Sequence, residues 1–303
     1  MLPRGRLVLV GAGVLALAYA LICALAPVDP ALLHRLWFLP AVGVVGAIIA
    51  NASGTGGGVV FVPVFNALRE LGAMDLAPLQ VVAVSMGIQG FGMTLGALRW
   101  TDRLYHSGPL AAGEATARPR DFWLVCAAVI ALAVPALLAA QRLLPFEPHA
   151  VLASYKTFSI VLGLALISAT WTWNRDLPER TQLARGDLVV LVLLAIPGGV
   201  VTAFFSVGIG EIVAFYLFLR HYPMVLCVGT ACVISAASCI AGLVWHVGAG
   251  TVQWEVVLLA APGAMLGAFL ARPIALRLGA RRLKTAGGVW IVASALYLLW
   301  LDA

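Results

Sequence analysis

Charge is what this sequence has least of. Only 11% of its 303 residues are Asp, Glu, Lys or Arg, while 62% are hydrophobic. Ordinary soluble domains carry roughly a quarter of their residues as charges, so a water-soluble globular protein is excluded and lipid must be the main solvent. Paired cysteine motifs are also missing. Cys23, Cys126, Cys227, Cys232 and Cys239 stand inside apolar runs with no C-x-x-C spacing, the pattern of small buried hydrophobes rather than of a redox or metal site. His34, His106, His149, His221 and His246 are scattered in or near connectors. No metal site and no cofactor is therefore expected. A G-K-[ST] sequence is absent, which excludes a P-loop ATPase, and no nucleophile is matched with a base, so an enzyme is not expected. The formal net charge of +6 does not call for nucleic acid, because Lys and Arg are spread over short connectors instead of forming one patch.

Long uncharged runs take the place of all this. Leu7 to Pro27, Leu79 to Leu98, Phe122 to Gln141 and Val256 to Ala271 contain no ionised group; the first three are long enough to cross about 30 Å of hydrocarbon, and the fourth, extended by its flanking residues, is read as a span with them. The first run follows Arg4 and Arg6 but is long for a signal peptide, so it is read as a retained span.

Two blocks are interrupted by glycine. Asn51-Ala-Ser-Gly-Thr-Gly-Gly-Gly58 separates Leu36 to Ala50 from Val59 to Leu68, and Phe205-Ser-Val-Gly-Ile-Gly-Glu211 separates Leu188 to Phe204 from Ile212 to Leu219. If each broken block crossed once, Arg99, Arg103, Arg118 and Arg120 would lie opposite the basic N-terminus, against the positive-inside rule. Treating both blocks as re-entrant hairpins puts 15 of the 19 Lys and Arg residues on one side, leaving Arg35, Arg69 and Arg142 on the other. Lys156, near a span entrance, is expected to snorkel, and Trp37, Trp123, Trp171, Trp173, Trp254 and Trp300 to anchor span ends at the interface.

The resulting expectation is an all-α polytopic membrane protein built from two inverted repeats. Residues 1–35 form an N-terminal helix and connector. Residues 36–174 are repeat 1, with its hairpin at 36–69 and three spans; residues 175–303 are repeat 2, with its hairpin at 187–220 and three spans. The N-terminus is cytoplasmic and the C-terminus outside, in a bacterial inner membrane. A shared register supports the repeat: Pro78, Ser85 and Trp100 have the same spacings as Pro223, Thr230 and Trp245, and Lys156-Thr157 recurs as Lys284-Thr285.

Inside a bilayer, free backbone N–H and C=O groups are tolerated only beside protein or a wet cavity, so the breaks mark the functional site. The short helix restarting after each break offers unpaired N–H groups and the positive end of its dipole, which suits an anion. Candidate substrate-binding residues are Asn51, Ser53, Gly54, Thr55, Gly56, Gly57, Gly58, Ser85, Ser206, Gly208, Gly210 and Thr230. Close packing of small residues is the competing explanation for each of them. Glu211 stands directly after the second break and is the candidate proton-coupling residue; a helix cap or a shallow carboxylate at the mouth is the alternative.

Gly54-Thr-Gly-Gly-Gly58-Val-Val-Phe-Val-Pro63, Ala83-Val-Ser85, Ser206-Val-Gly-Ile-Gly210, Val228-Gly-Thr230 and Gly263-Ala-Met-Leu-Gly267-Ala together resemble the TauE/SafE sulfite exporter family. Its members are bacterial or archaeal transporters for sulfite, sulfoacetate and other sulfur-containing anions. The resemblance implies a secondary transporter of a small sulfur oxyanion or organosulfonate working by alternating access, with protons as coupling partners and the lipid bilayer as its setting. Ile209 and Glu211 depart from the run of glycines usual at the second break. A passive anion channel and an intramembrane enzyme or redox factor are the alternatives, and the oligomeric state is open, a homodimer being one option.

Overall fold

The computed structural model describes residues 5–106, 116–145, 148–172 and 179–301. Trp173, Arg175 and the expected boundary between the repeats at 174 and 175 lie outside the described residues, as do Arg4 and the side chains of His149 and Lys284. Helices make up all the regular structure that is described: α1 (Arg6–Leu25), α2 (Pro30–Arg35), α3 (Leu39–Ser53), α4 (Gly58–Glu70), α5 (Pro78–Tyr105), α6 (Pro119–Leu143), α7 (Pro148–Thr172), α8 (Arg185–Phe205), α9 (Ile209–Leu219), α10 (Met224–Gly248) and α11 (Trp254–Leu301). Six of them are long and apolar enough to cross a membrane, namely α1, α5, α6, α8, α10 and the Trp254–Gly279 leg of α11.

Helix limits follow local chemistry. Proline opens α5 and α6, where its missing N–H costs nothing, and the Ala77 N–H before α5 is taken by the Gln80 side chain at 2.8 Å. In α11, Gly279 adopts φ 74° and ψ 157°, which divides the helix into two legs.

Ion pairs and polar bonds define the two ends of the bundle. At one, the basic end, Asp102 accepts from the Gly5 N–H at 2.9 Å and from Arg272 at 3.2 Å, while Asp121 accepts from the Leu183 N–H at 3.0 Å. At the far end, Glu255 accepts from the Asp29 N–H at 2.8 Å. Glu255 and Arg272 lie on one helical leg, separated by roughly 25 Å at 1.5 Å per residue.

Each interrupted segment has its two ends joined by a hydrogen bond. Arg35, before α3, donates to the Gly72 carbonyl after α4 at 3.0 Å, and Asp187 in the first turn of α8 accepts from Arg220 at the end of α9 at 2.8 Å. The packing has matching partners: α3 lies on α11 as α8 lies on α6, α5 on α11 as α10 on α6, α4 on α5 as α9 on α10, while α5 and α10 pack on each other.

Three sequence expectations change. The breaks are shorter than the glycine stretches, because Asn51, Ala52 and Ser53 complete α3, and Ile209, Gly210 and Glu211 already belong to α9. Small residues do not stop a helix until one needs a left-handed backbone, as Gly54 does at φ 75°. Snorkelling is the expectation for Lys156, but its side chain is buried, 3% exposed, on the face of α7 that also buries Ser159, Leu166 and Thr170. Cys23 is exposed on the outer surface of α1, whereas the other four cysteines are buried. Trp37, Trp123, Trp171 and Trp300 are exposed, whereas Trp254 is half-buried against the core.

Candidate functional site

The two breaks meet inside the bundle. The first runs from Gly54 to Gly57, with Gly54 and Gly56 left-handed at φ 75° and 66°. The second runs from Ser206 to Gly208, with Ser206 left-handed at φ 56° although it carries a side chain. Gly58 opens α4 directly against the second break: a Cβ there would stand 2.7 Å from the Ser206 carbonyl carbon. A Cβ at Gly56 would overlap the Glu211 carboxylate. Glycine is required at these two positions by close approach, which is one of its distinctive uses.

Gln89, from the middle of α5, ties the breaks together. Its Oε1 accepts from the Gly57 N–H at 2.7 Å, and its Nε2 donates to the Ser206 carbonyl at 3.0 Å, to Ser206 Oγ at 2.7 Å and to Ser85 Oγ at 3.2 Å. Nothing in the glycine pattern points to Gln89. The signal that would find it is a primary amide standing 11 residues into an apolar span, where burial is costly unless the polar atoms are paired.

Glu211 is buried, 3% exposed, and its Oε2 accepts from the Gly208 N–H at 2.7 Å. It is buried in protein rather than open to solvent, and the bond to Gly208 is the capping geometry of a first-turn glutamate. The Ile209 N–H goes to Thr202 Oγ1 at 3.0 Å. The cap amides directly before the two short helices, those of Gly57 and Gly208, are thus each held by a side-chain oxygen.

A narrow cavity of about 10 Å³ adjoins the breaks, lined by Ser53, Thr55, Glu211, Leu166, Phe215 and Ile291 among others. That is room for about one water. Ser53 Oγ and Thr55 Oγ1 are bonded to each other at 2.7 Å on its wall. A much larger apolar cleft of about 560 Å³ opens between α1, α5, α6 and α10, lined by residues such as Leu98, Trp123 and Ile240. It is remote from this chemistry, since no residue of either break lines it.

The remaining candidates sort by neighbourhood. Gly54, Gly56, Gly57, Gly58, Ser85, Ser206 and Gly208 are gathered at the junction, and Gly210 packs against the Ser235 hydroxyl. Asn51 turns to helix packing: its Nδ2 donates to the Ala47 carbonyl at 2.9 Å, and its own carbonyl accepts from the Trp100 indole at 2.9 Å. Thr230 donates its hydroxyl back to the Leu226 carbonyl of α10. Gly263 and Gly267 serve backbone contact between α11 and α3, where added Cβ atoms would overlap the carbonyl oxygens of Pro40 and Val44.

A polar clamp that the glycine pattern gives no hint of joins the outer ends of α8 and α9. Asp187 accepts from Tyr222 at 2.6 Å, Tyr216 at 2.8 Å, Arg220 at 2.8 Å and Arg180 at 3.4 Å. It fastens the start of α8 to the end of α9. Contact with the Asp187 carboxylate holds the Arg220 guanidinium even more firmly protonated than usual.

The family described as Sulfite exporter TauE/SafE matches residues 38–298, a stretch that begins at the residue before α3 and includes both breaks. No curated protein and no solved structure matches the chain.

Proposed function

Because the chain belongs to the sulfite exporter TauE/SafE family, we propose that it is a proton-coupled secondary transporter of a small sulfur-containing oxyanion or organosulfonate. In this reading it sits in a bacterial inner membrane with its basic end in the cytoplasm. The two helix–break–helix segments are re-entrant hairpins of inverted repeats. Support for the repeats comes from the matched packing of α3 to α5 and α8 to α10 with their neighbours and from the hydrogen bond that joins the two ends of each segment.

One observation carries the assignment: the N–H groups of Gly57 and Gly208, the capping residues directly before α4 and α9, stand where a helix start suits an anion and are already taken by Gln89 Oε1 and Glu211 Oε2. An entering oxyanion competes with these acceptors for the same N–H groups. A charged Glu211 resists release from Gly208 and repels the anion, while a protonated one does neither. Anion and proton therefore bind together, which makes the cycle a symport. Alternating access follows if the junction opens first to one end of the bundle and then to the other.

The test is transport by purified protein in liposomes with an internal pH dye. Sulfite uptake should be accompanied by internal acidification and should rise with an inward proton gradient. Glu211→Gln should leave sulfite exchange in place while removing the response to the gradient. Sulfite flux that follows the membrane potential and ignores an imposed pH step would replace this reading with a passive channel.

A further inference from the structure

We propose that α10 carries a proton-conducting line from the far end of the bundle to Glu211, through His246, Gln141 of α6, Ser238 and Ser235. It rests on Glu211 being the proton carrier.

Ser235, Ser238, Gly242 and His246 recur at intervals of 3, 4 and 4 residues, which places them along one face of the helix. The Ser235 hydroxyl lies against Gly210, the residue before Glu211, closely enough that a Cβ on Gly210 would overlap it. Further along, Gln141 lies against Gly242 and donates to its carbonyl at 3.4 Å. At the far end His246 is fully buried, and its Nδ1 is bonded to Thr251 Oγ1 at 2.9 Å in the connector that follows α10.

Seven buried side-chain polar atoms lack a hydrogen-bond partner among the described residues, and three of them are Ser238 Oγ, Gln141 Oε1 and His246 Nε2. Buried polar atoms left unpaired cost about 1–3 kcal/mol each, so three on one line call for a shared partner. Water fits. At 1.5 Å per residue the stations are separated by roughly 4.5–6 Å, the span that one water bridges with two hydrogen bonds. Each station can also pass a proton, since hydroxyls both donate and accept and imidazole exchanges a proton between its two nitrogens.

Along this stretch the titratable groups on the elements packed against α10 are Glu211 of α9, Arg142 in the last turn of α6, and Cys232 and Cys239 of α10 itself, both close enough to Glu211 to interact with it electrostatically. α3 has none, and those of α5, α8 and the rest of α6 stand toward the basic end. Cys239 packs with Val82 and Met86 in a small apolar cluster beside the line. Glu211 is therefore the one acidic terminus that the line can serve.

The experiment follows the carboxylic acid band of Glu211 by time-resolved infrared spectroscopy of the full chain in liposomes, after acidification on the side of the far end. Its assignment comes from loss of the band in Glu211→Gln. His246→Gln should slow its rise about a hundredfold, the low end of what a positioned proton-transfer group contributes, and Ser238→Ala should slow it as well. Equal rates in the native chain and in both variants would overturn the line, as would a band that never forms. If His246→Gln fails to fold, Ser238→Ala decides alone by the same criterion. Sulfite exchange in the same liposomes reads the transporter assignment separately: its absence in the native chain would sink that assignment while the band kinetics still judge the line.

Discussion

Replacing Gln89 by leucine tests whether the breaks are held by one side chain. Leucine fills similar space but has no polar atom. The change removes the acceptor of the Gly57 N–H and the donor to the Ser206 carbonyl, bonds of 2.7 and 3.0 Å in a buried site. Leaving two buried backbone groups unpaired costs about 1–3 kcal/mol each. The Ser85 and Ser206 hydroxyl oxygens also lose a donor, and the gain in apolar burial returns about 1 kcal/mol. The net loss is about 1–5 kcal/mol, together with loss of transport. Gln80→Leu is the comparison, because Gln80 makes the same kind of bond, to the Ala77 N–H at 2.8 Å, at an exposed helix start. Water replaces that bond at a cost of about 1 kcal/mol or less. Unfolding free energies measured by detergent titration in mixed micelles separate the two. Equal stability of both variants, or full sulfite flux in Gln89→Leu, would refute the role given to Gln89.

Gly58→Ala should abolish transport, because the new methyl meets the backbone of Ser206, whereas Gly90→Ala should be neutral or slightly stabilising, its Cβ finding only Ile240 Cγ1 at 3.7 Å; flux assays and thermal melts on the pair check this. Asp187→Asn should loosen the mouth of the second hairpin, costing about 2 kcal/mol through weakened charge-assisted bonds, seen as faster protease cleavage between α9 and α10; unchanged protection would show that the clamp is dispensable. Gly263→Val should separate α11 from α3, which meet backbone to backbone at Pro40, and should lower the yield of folded protein in membranes; native yield would show that the contact relaxes freely.

Much of the architecture was legible in the chain. Uncharged runs of about 20 residues announce spans because hydrocarbon tolerates few charges, and the glycine stretches announce interruptions because a left-handed backbone strongly favours glycine. The limits of those interruptions were not legible. Asn51 and Ser53 are compatible with either helix or loop, and what keeps them helical is packing of α3 against α5 and α11. Lys156 shows the same limit: a lysine near a span end has two outcomes, and the neighbours of α7 decide between them.

By itself, the sequence determined that this protein lives in lipid, where its helices run and where two of them break. These are properties of solvent transfer and backbone sterics, which act on each segment regardless of its neighbours. Only the tertiary structure decided that Gln89 joins the two breaks, that Glu211 and Gly56 share a space, and that Asp187 ties α8 to α9. Hydrogen bonds act over about 3 Å, so a partner more than 100 residues away becomes visible only when the fold has brought it near.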